Sequence, residues 1–298
     1  KKTSCILSRS GDLIDKMYLV VVLPQIPSFV NSDGTIDTIT KVAWVKRIGY
    51  AIIKSVEIEI GGKAIDKQYG EWMHIWNEMT GIRDRGFQRM IGDIDDLTKL
   101  TNGKKQYQLF IPLQFWFCKD SGLALPVVNL KYNDVKINVD LNPVDYCLIK
   151  TPSNYIQITQ DLVNFTPYEY IQQTVNGITA TGIFIDYDVL TQRLYYQRVS
   201  RNKFQSIQNT TIVNNSTLTQ VLNDPNNQQY LIKGLTSGFQ IMPKLNTIER
   251  VYNSYQTNTI EITTCFLLVN YIYIDEEERF KFSQGKQEYF IDQIRYIS

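Results

Sequence analysis

The chain has 298 residues, 43% of them apolar, with 31 lysines and arginines against 30 aspartates and glutamates and a single histidine. That length accommodates one large all-β domain or two ordinary ones, and the apolar share excludes a disordered chain. A formal net charge of +1 leaves no bulk attraction to nucleic acid.

Taken in chain order, TSCILSRSGDLIDKMYLVVVLP (3–24) predicts two strands joined at Ser10-Gly11-Asp12, the second ended by Pro24 and Pro27. IIKSVEIEIGGKAID (52–66) alternates, with Val56, Ile58 and Ile60 on one face and Glu57 and Glu59 on the other; Gly61-Gly62 then permits a tight hairpin. YGEWMHIWNEMTG (69–81) has helical spacing. Trp72, Ile75, Trp76 and Met79 share a face, and Gly81 supplies a stop. Residues 87–99 predict a second short helix.

QYQLFIPLQFWF (106–117) is apolar on both faces in its second half, which predicts a strand covered on both sides by the fold or by a neighbouring subunit. NLKYNDVKINVDL (129–141) predicts another strand, with Leu130, Tyr132, Val135, Ile137, Val139 and Leu141 toward a core and a bulge near Asn133-Asp134. Residues 145–258 are less regular, with weaker strands such as TGIFIDYDVL (181–190). The polar stretch 209–229 reads as an exposed loop. TIEITTCFLLVNYIYID (259–275) predicts a long buried strand, after which 276–297 turns charged with helical spacing. Many strands and few helices indicate an all-β sandwich or jelly roll with short helices and a long inserted loop region.

No apolar run reaches the length of a bilayer span; MYLVVVLP (17–24) and CFLLVNYIYI (265–274) are strand-sized. Cys5, Cys118, Cys147 and Cys265 have no metal-site spacing. Cys118 and Cys265 read as buried thiols in a reducing compartment. The chain starts at Lys1 without Met and stops inside a periodic segment, so a longer polypeptide is expected.

Catalytic chemistry finds little purchase. His74 lacks other imidazoles to share a metal, and there is no GxSxG elbow or glycine-rich phosphate loop. GDIDD (92–96) could hold a divalent cation but reads better as a loop or helix cap. Asp275, Glu276, Glu277 and Glu278 suit the start of a helix. Arg193, Arg198, Arg201 and Lys203 interleave with aromatics, a pattern that serves either single-stranded nucleic acid or a basic strand edge. No catalytic residue, cofactor or metal is predicted. Four N-x-[ST] sequons at Asn164, Asn209, Asn214 and Asn215 are possible glycosylation sites.

Four blocks resemble the major capsid proteins of the nucleocytoplasmic large DNA viruses. IPLQFWFCKDSGLALPVVNLKYNDVKINVDL (111–141) resembles the family's PLxFWFCRxxGLALPLIALQYHEVKI segment, with Phe115, Trp116, Phe117, Gly122 and Pro126 in place; Asn133 and Asp134 replace the usual His and Glu. SRSGDLIDKMYLVVVLP (8–24) resembles RxGDLI…YLxxxLP. VEIEIGGKAIDKQYGEWMHIWNEMT (56–80), with Trp72 and Trp76, resembles VELEIGGxxIDKxYGxWLxIWNELT. VNYIYIDEEERFKFSQGKQEYFIDQI (269–294) resembles VDYIYLDxxERRRFAQxxHEYLIEQ, with Gln287 for the usual His.

The resemblance implies the first roll of a double jelly-roll protein: a single domain over 1–298, loop-rich at about 145–258, with the second roll expected after 298. It further implies a structural, non-enzymatic subunit, synthesised in the host cytoplasm, that trimerises into pseudo-hexameric capsomers of an icosahedral virion. Its expected partners are two further copies, neighbouring capsomers and minor capsid proteins, with no direct nucleic-acid binding. The alternative reading is a jelly-roll attachment protein that binds surface glycans; a third, enzymatic, has only GDIDD to rest on.

Overall fold

The computed structural model describes residues 2–31, 33–81, 84–130, 132–158, 163–208, 225–252, 260–284 and 291–293. In chain order the strands are β1 (Lys2–Ile6), β2 (Leu13–Leu23), β3 (Lys41–Trp44), β4 (Ile53–Ile60), β5 (Lys63–Gln68), β6 (Tyr107–Pro112), β7 (Leu125–Pro126), β8 (Val135–Leu141), β9 (Leu148–Thr151), β10 (Asn154–Gln157), β11 (Tyr170–Val175), β12 (Ile178–Asp188), β13 (Arg193–Arg198), β14 (Ile232–Gly234), β15 (Gln240–Ile241), β16 (Arg250–Val251) and β17 (Thr264–Ile272). The α-helices are α1 (Ile48–Ala51), α2 (Gly70–Thr80), α3 (Arg85–Ile91), α4 (Asp95–Thr98), α5 (Trp116–Lys119), α6 (Val144–Cys147) and α7 (Glu276–Gln284).

The chain forms two compact units. Unit 1 comprises Lys1–Pro27, Ala43–Ile149 and Asn258–Ser298; unit 2 comprises Ser28–Val42 and Lys150–Thr257. Unit 1 holds two antiparallel sheets, β1-β8-β4-β5 and β17-β2-β6, with β7 pairing β2. The first buries Val56, Ile58, Ile137 and Val139, and the second Met17, Leu19, Val21, Leu109 and Ile111. Period-2 alternation puts one apolar face of the first sheet inward, whereas β2 is buried on both faces at Leu19-Val20-Val21. The strand order is non-sequential in both sheets, and the architecture is an all-β jelly roll with short helices. The β4–β5 hairpin turns through Gly61 and Gly62, both at positive φ (57° and 80°), where a Cβ would be strained.

Unit 2 is built on a seven-stranded sheet of order β15-β14-β11-β12-β13-β10-β16. Its core gathers Ile156, Ile171, Phe184, Leu194, Tyr196 and Ile232. Regular strands thus run through the stretch 145–258, where the sequence pattern is weak. The weak pattern has a physical cause: β11 turns Gln173 inward between Ile171 and Val175. Buried, Gln173 donates to the carbonyls of Gln205 and Tyr230 and accepts from the Gln205 N–H, so its amide is satisfied. Glu169 plays a similar part. It accepts from the N–H groups of Thr166, Thr236 and Ser237 and from the Ser237 hydroxyl. Burial raises its pKa, but these donors outweigh burial and hold it below the ordinary value.

The stretch 129–141 also differs from expectation. The strand begins only at Val135; Val127–Asn129 is a 3-10 turn, and Tyr132 is 97% exposed rather than core-facing. Asn133-Asp134 is a turn before β8, not a bulge within it.

Candidate assembly surfaces

Phe115, Trp116 and Phe117 are the largest buried aromatic group of unit 1, at 0%, 1% and 0% exposure. They do not lie on a strand. β6 ends at Pro112, Phe115 caps a single helical turn, and Trp116–Lys119 is α5. A strand would send Trp116 to the face opposite its two neighbours; coiling lets all three enter one core. Phe115 and Phe117 stack with centroids 5.7 Å apart, and Trp116 meets Phe117 edge-on at 5.1 Å. Gly122 follows in a 3-10 turn, where its N–H donates to Asp120 Oδ1 at 2.9 Å. Pro126 stands opposite Leu13 in the short β7–β2 pairing.

The first and last sequence blocks are clasped together. Arg279 donates through Nε and Nη2 to the two carboxylate oxygens of Asp12, each at 2.9 Å, and the Ile274 N–H donates to Asp12 Oδ2 at 3.0 Å. The Tyr271 and Tyr273 hydroxyls donate to the carbonyls of Ser8 and Ser10, and Asn270 Nδ2 donates to Asp15 Oδ1. The Arg279 bonds, then the Ile274 N–H, hold the Asp12 carboxyl below its ordinary value of 3.8. A depressed folded pKa contributes stability that is complete above pH 3.8 and fades as the pH falls through the lower folded value. Asp12→Asn is therefore expected to lower the melting temperature by a few degrees at pH 7. The gap from the parent should close on acidification below the ordinary carboxylate range, as read by thermal melts across pH; a gap that persists there would show that the carboxylate is not the source.

Helix α2 buries Gly70, Met73 and Asn77. The face carrying Trp72, Ile75, Trp76 and Met79 is thus turned away from the core, with Ile75 48% and Met79 71% exposed. Trp72 and Trp76 lie 5.9 Å apart, and the Lys119 ammonium sits 5.0 Å above the Trp76 ring. The result is an apolar stripe rimmed by Glu71, Glu78 and Lys119.

A second apolar surface lies on the outer face of β17-β2-β6. Register places Phe266, Val20 and Phe110 in one row, and Leu268, Tyr18 and Pro112 in the next; Val20 is fully buried, so the exposed part is the β17 edge. Phe266 and Leu268 are each 44% exposed. The expectation of a buried strand at 259–275 is corrected accordingly: β17 is the edge strand of its sheet, and Cys265 is exposed on it. An apolar run reads the same whether its cover comes from its own chain or from another.

The residues weighed for chemistry are otherwise engaged. His74 Nδ1 is 3.0 Å from Arg47 Nη1, and Arg47 also bonds Glu78 and Asp93. Burial opposes the Arg47 charge, but the two acids raise its pKa on balance. Together with Tyr50, Tyr69 and Tyr146, Arg47 and His74 line a cleft of about 600 Å³. In GDIDD, Gly92 ends α3, Asp95 and Asp96 open α4, and Asp95 pairs with Lys99 at 2.7 Å. Asp275 accepts from the Glu278 N–H ahead of α7. Arg198 pairs with buried Glu249 at 2.9 Å. Burial pushes the Cys118 thiol up to about 12 and the Cys147 thiol to about 11. Among the described residues no three His, Cys, Asp or Glu converge as a metal set, and no helix is long and apolar enough to cross a membrane. Asn164 is exposed; Asn209, Asn214 and Asn215 lie outside the described residues, as does most of the polar stretch 209–229.

Sequence reasoning passed over Gly70, Asp12 and Arg279, although all three sit inside the four blocks. Comparison with known proteins places the chain. Residues 1–189 match the family described as the major capsid protein N-terminus, and the chain belongs to that family. It is 39% identical over 295 residues to "Probable capsid protein 4" of Acanthamoeba polyphaga mimivirus, covering 98% of this chain and 56% of that protein. It is 32% identical over 212 residues to the major capsid protein of Phaeocystis pouchetii virus, covering 63% of this chain and 38% of that one. The chain thus spans about half the length, or less, of these relatives. Among solved structures it is similar to the Faustovirus major capsid protein (TM-score 0.48, 13% identity, 95% of this chain and 53% of that one). It is also similar to the PBCV-1 capsid in its quasi-atomic model (TM-score 0.47, 18% identity, 98% and 43%).

Proposed function

We propose that the protein is a structural subunit of an icosahedral large-DNA-virus shell, the first of two jelly rolls, and that it assembles as trimeric capsomers contacting further capsomers and minor capsid proteins. The observation that carries this reading is the family match over residues 1–189; the exposed Ile75 and Met79 of α2 and Phe266 and Leu268 of β17 support it. Burial and shape are then the function, and the side chains that could do chemistry serve the fold instead. Stable assemblies of this kind bury on the order of 800 Å² or more per partner.

Light scattering on the purified protein is expected to give the mass of three protomers. The double substitution Ile75→Glu with Met79→Glu adds charge to the exposed stripe and is expected to give a monomer with an unchanged melt, because neither side chain is in the core. A monomeric parent protein that binds glycans saturably would favour the attachment reading. A trimer untouched by the double substitution would move the contact away from α2.

A further inference from the structure

Unit 2 carries a small cationic pocket of about 150 Å³, lined by Tyr155, Gln157, Arg193, Asn246, Thr247, Ile248 and Arg250. The strand register builds it. Tyr155 and Gln157 are two apart on β10 and so share a face. Arg193 stands opposite Gln157 on β13, and Arg250 stands opposite Tyr155 on β16. Two guanidinium groups therefore flank β10 from either side. This is the face away from the core, since the alternate residues Ile156, Leu194 and Tyr196 fill the interior.

Arg193 is hydrogen-bonded to the Tyr195 side chain and feels the charge of Asp188 nearby. No carboxylate lines the pocket among the described residues. Glu249, next to Arg250 in sequence, is directed to Arg198, the Asn154 amide and the Phe204 N–H. Asp188, opposite Arg193 across β12–β13, accepts from the Leu190 N–H and the Thr191 hydroxyl. The Arg193 guanidinium lies over the Tyr155 ring, 4.7 Å from its centroid. Its Nε is buried with no acceptor. The guanidinium bonds Tyr195 elsewhere, but a buried N–H left without an acceptor is costly and rare in folded proteins, so the Nε marks a place where an acceptor belongs.

We propose that this pocket is an oxyanion site for a phosphate or sulfate group. Arg193 Nε and the Arg250 guanidinium would bind it, with the Gln157 side-chain amide alongside. A fork of guanidinium donors matches the geometry of such a group. The volume admits the anionic end of a ligand and not a whole sugar or nucleotide, whose sites run to roughly 300 Å³ and more. The same group could arrive as the free ion or as an ester on a sugar. The proposal uses unit 2 residues alone and does not depend on the assembly reading.

Isothermal titration of the 298-residue protein at low salt, with inorganic phosphate, inorganic sulfate and galactose 6-sulfate, tests it. Saturable binding at one site per chain is expected, weakening as sodium chloride is added. Arg250→Gln, a change at an exposed side chain, is expected to weaken binding about tenfold or more while leaving the melt unchanged. Arg193→Gln should weaken binding likewise, with some loss of stability from the stacking on Tyr155. Equal affinity for ion and ester identifies the anion alone as the ligand; tighter binding of the ester identifies a sulfated sugar. No saturable heat with any of the three, or an Arg250→Gln protein that binds as well as its parent, overturns the site.

Discussion

Trp116→Ala is expected to destabilise unit 1 by about 3–5 kcal/mol, the usual cost of emptying a fully buried indole site. The expectation rests on position: Trp116 is 1% exposed and touches Phe117 edge-on, inside a triplet that is buried throughout. Against a total stability of roughly 5–15 kcal/mol, that loss is a large share of the whole. Denaturant melts followed by circular dichroism would measure it. Trp116→Phe keeps much of the apolar volume and is expected to lose markedly less. A loss below about 1 kcal/mol for the alanine variant would mean that the cavity collapses freely, and the aromatic cluster would then be a poor account of what holds α5 on the sheet.

Gly70→Ala is expected to be at least as severe although it adds a single carbon. A Cβ at this position would fall on the carbonyl oxygens of Tyr50 and Ile53, both backbone atoms that cannot swing aside. Either α2 moves off the α1–β4 junction or the junction distorts. Both break packing around Met73, and a cost of about 3 kcal/mol or more, the upper end for overpacking, is expected because the obstacle is backbone. Glu71→Ala, one residue on and exposed, is the control and should stay within about 0.5 kcal/mol of the parent. If Gly70→Ala melts like that control, the close approach of helix and backbone is not what fixes α2.

Gly70 also explains why the orientation of α2 was not legible in the sequence. Hydrophobic spacing correctly located the helix and its stop at Gly81, whose φ is 69°. It also grouped Trp72, Ile75, Trp76 and Met79 on one face, but spacing alone does not say which face meets the core. The buried face holds the glycine, Met73 and Asn77, while the two tryptophans are half-buried and Ile75 and Met79 are exposed. A contact made by a missing side chain leaves no trace in the spacing of apolar residues. The same limit applies to Trp116: three consecutive aromatics carry no period, so a strand and a helical turn are equally compatible with the letters. Strands with one wet face were read well, as β4, β5 and the alternation of β8 from Val135 onward show. Unit 2 was read poorly because an inward Gln173 breaks the alternation. The cationic pocket was half visible: Arg193 stood out among its aromatics, but Arg250 reaches it only through the β10–β16 pairing.

The pairing of β2 with β17 has a consequence for how the protein is made. Leu13 and Ile272 are register partners, so a ribosome that has just released β2 must translate most of the chain before the matching edge exists. At roughly 5–20 residues per second that interval is on the order of 10–50 s. During it β2 can pair with β6 on one side, while its other edge offers open N–H and C=O groups and an apolar surface. Nascent chains on one polysome are close neighbours, and such an edge is a template for pairing between them. The last strand of unit 1 therefore acts as a late seal, and fragments that end before Thr264 are the species a holding chaperone would need to shield.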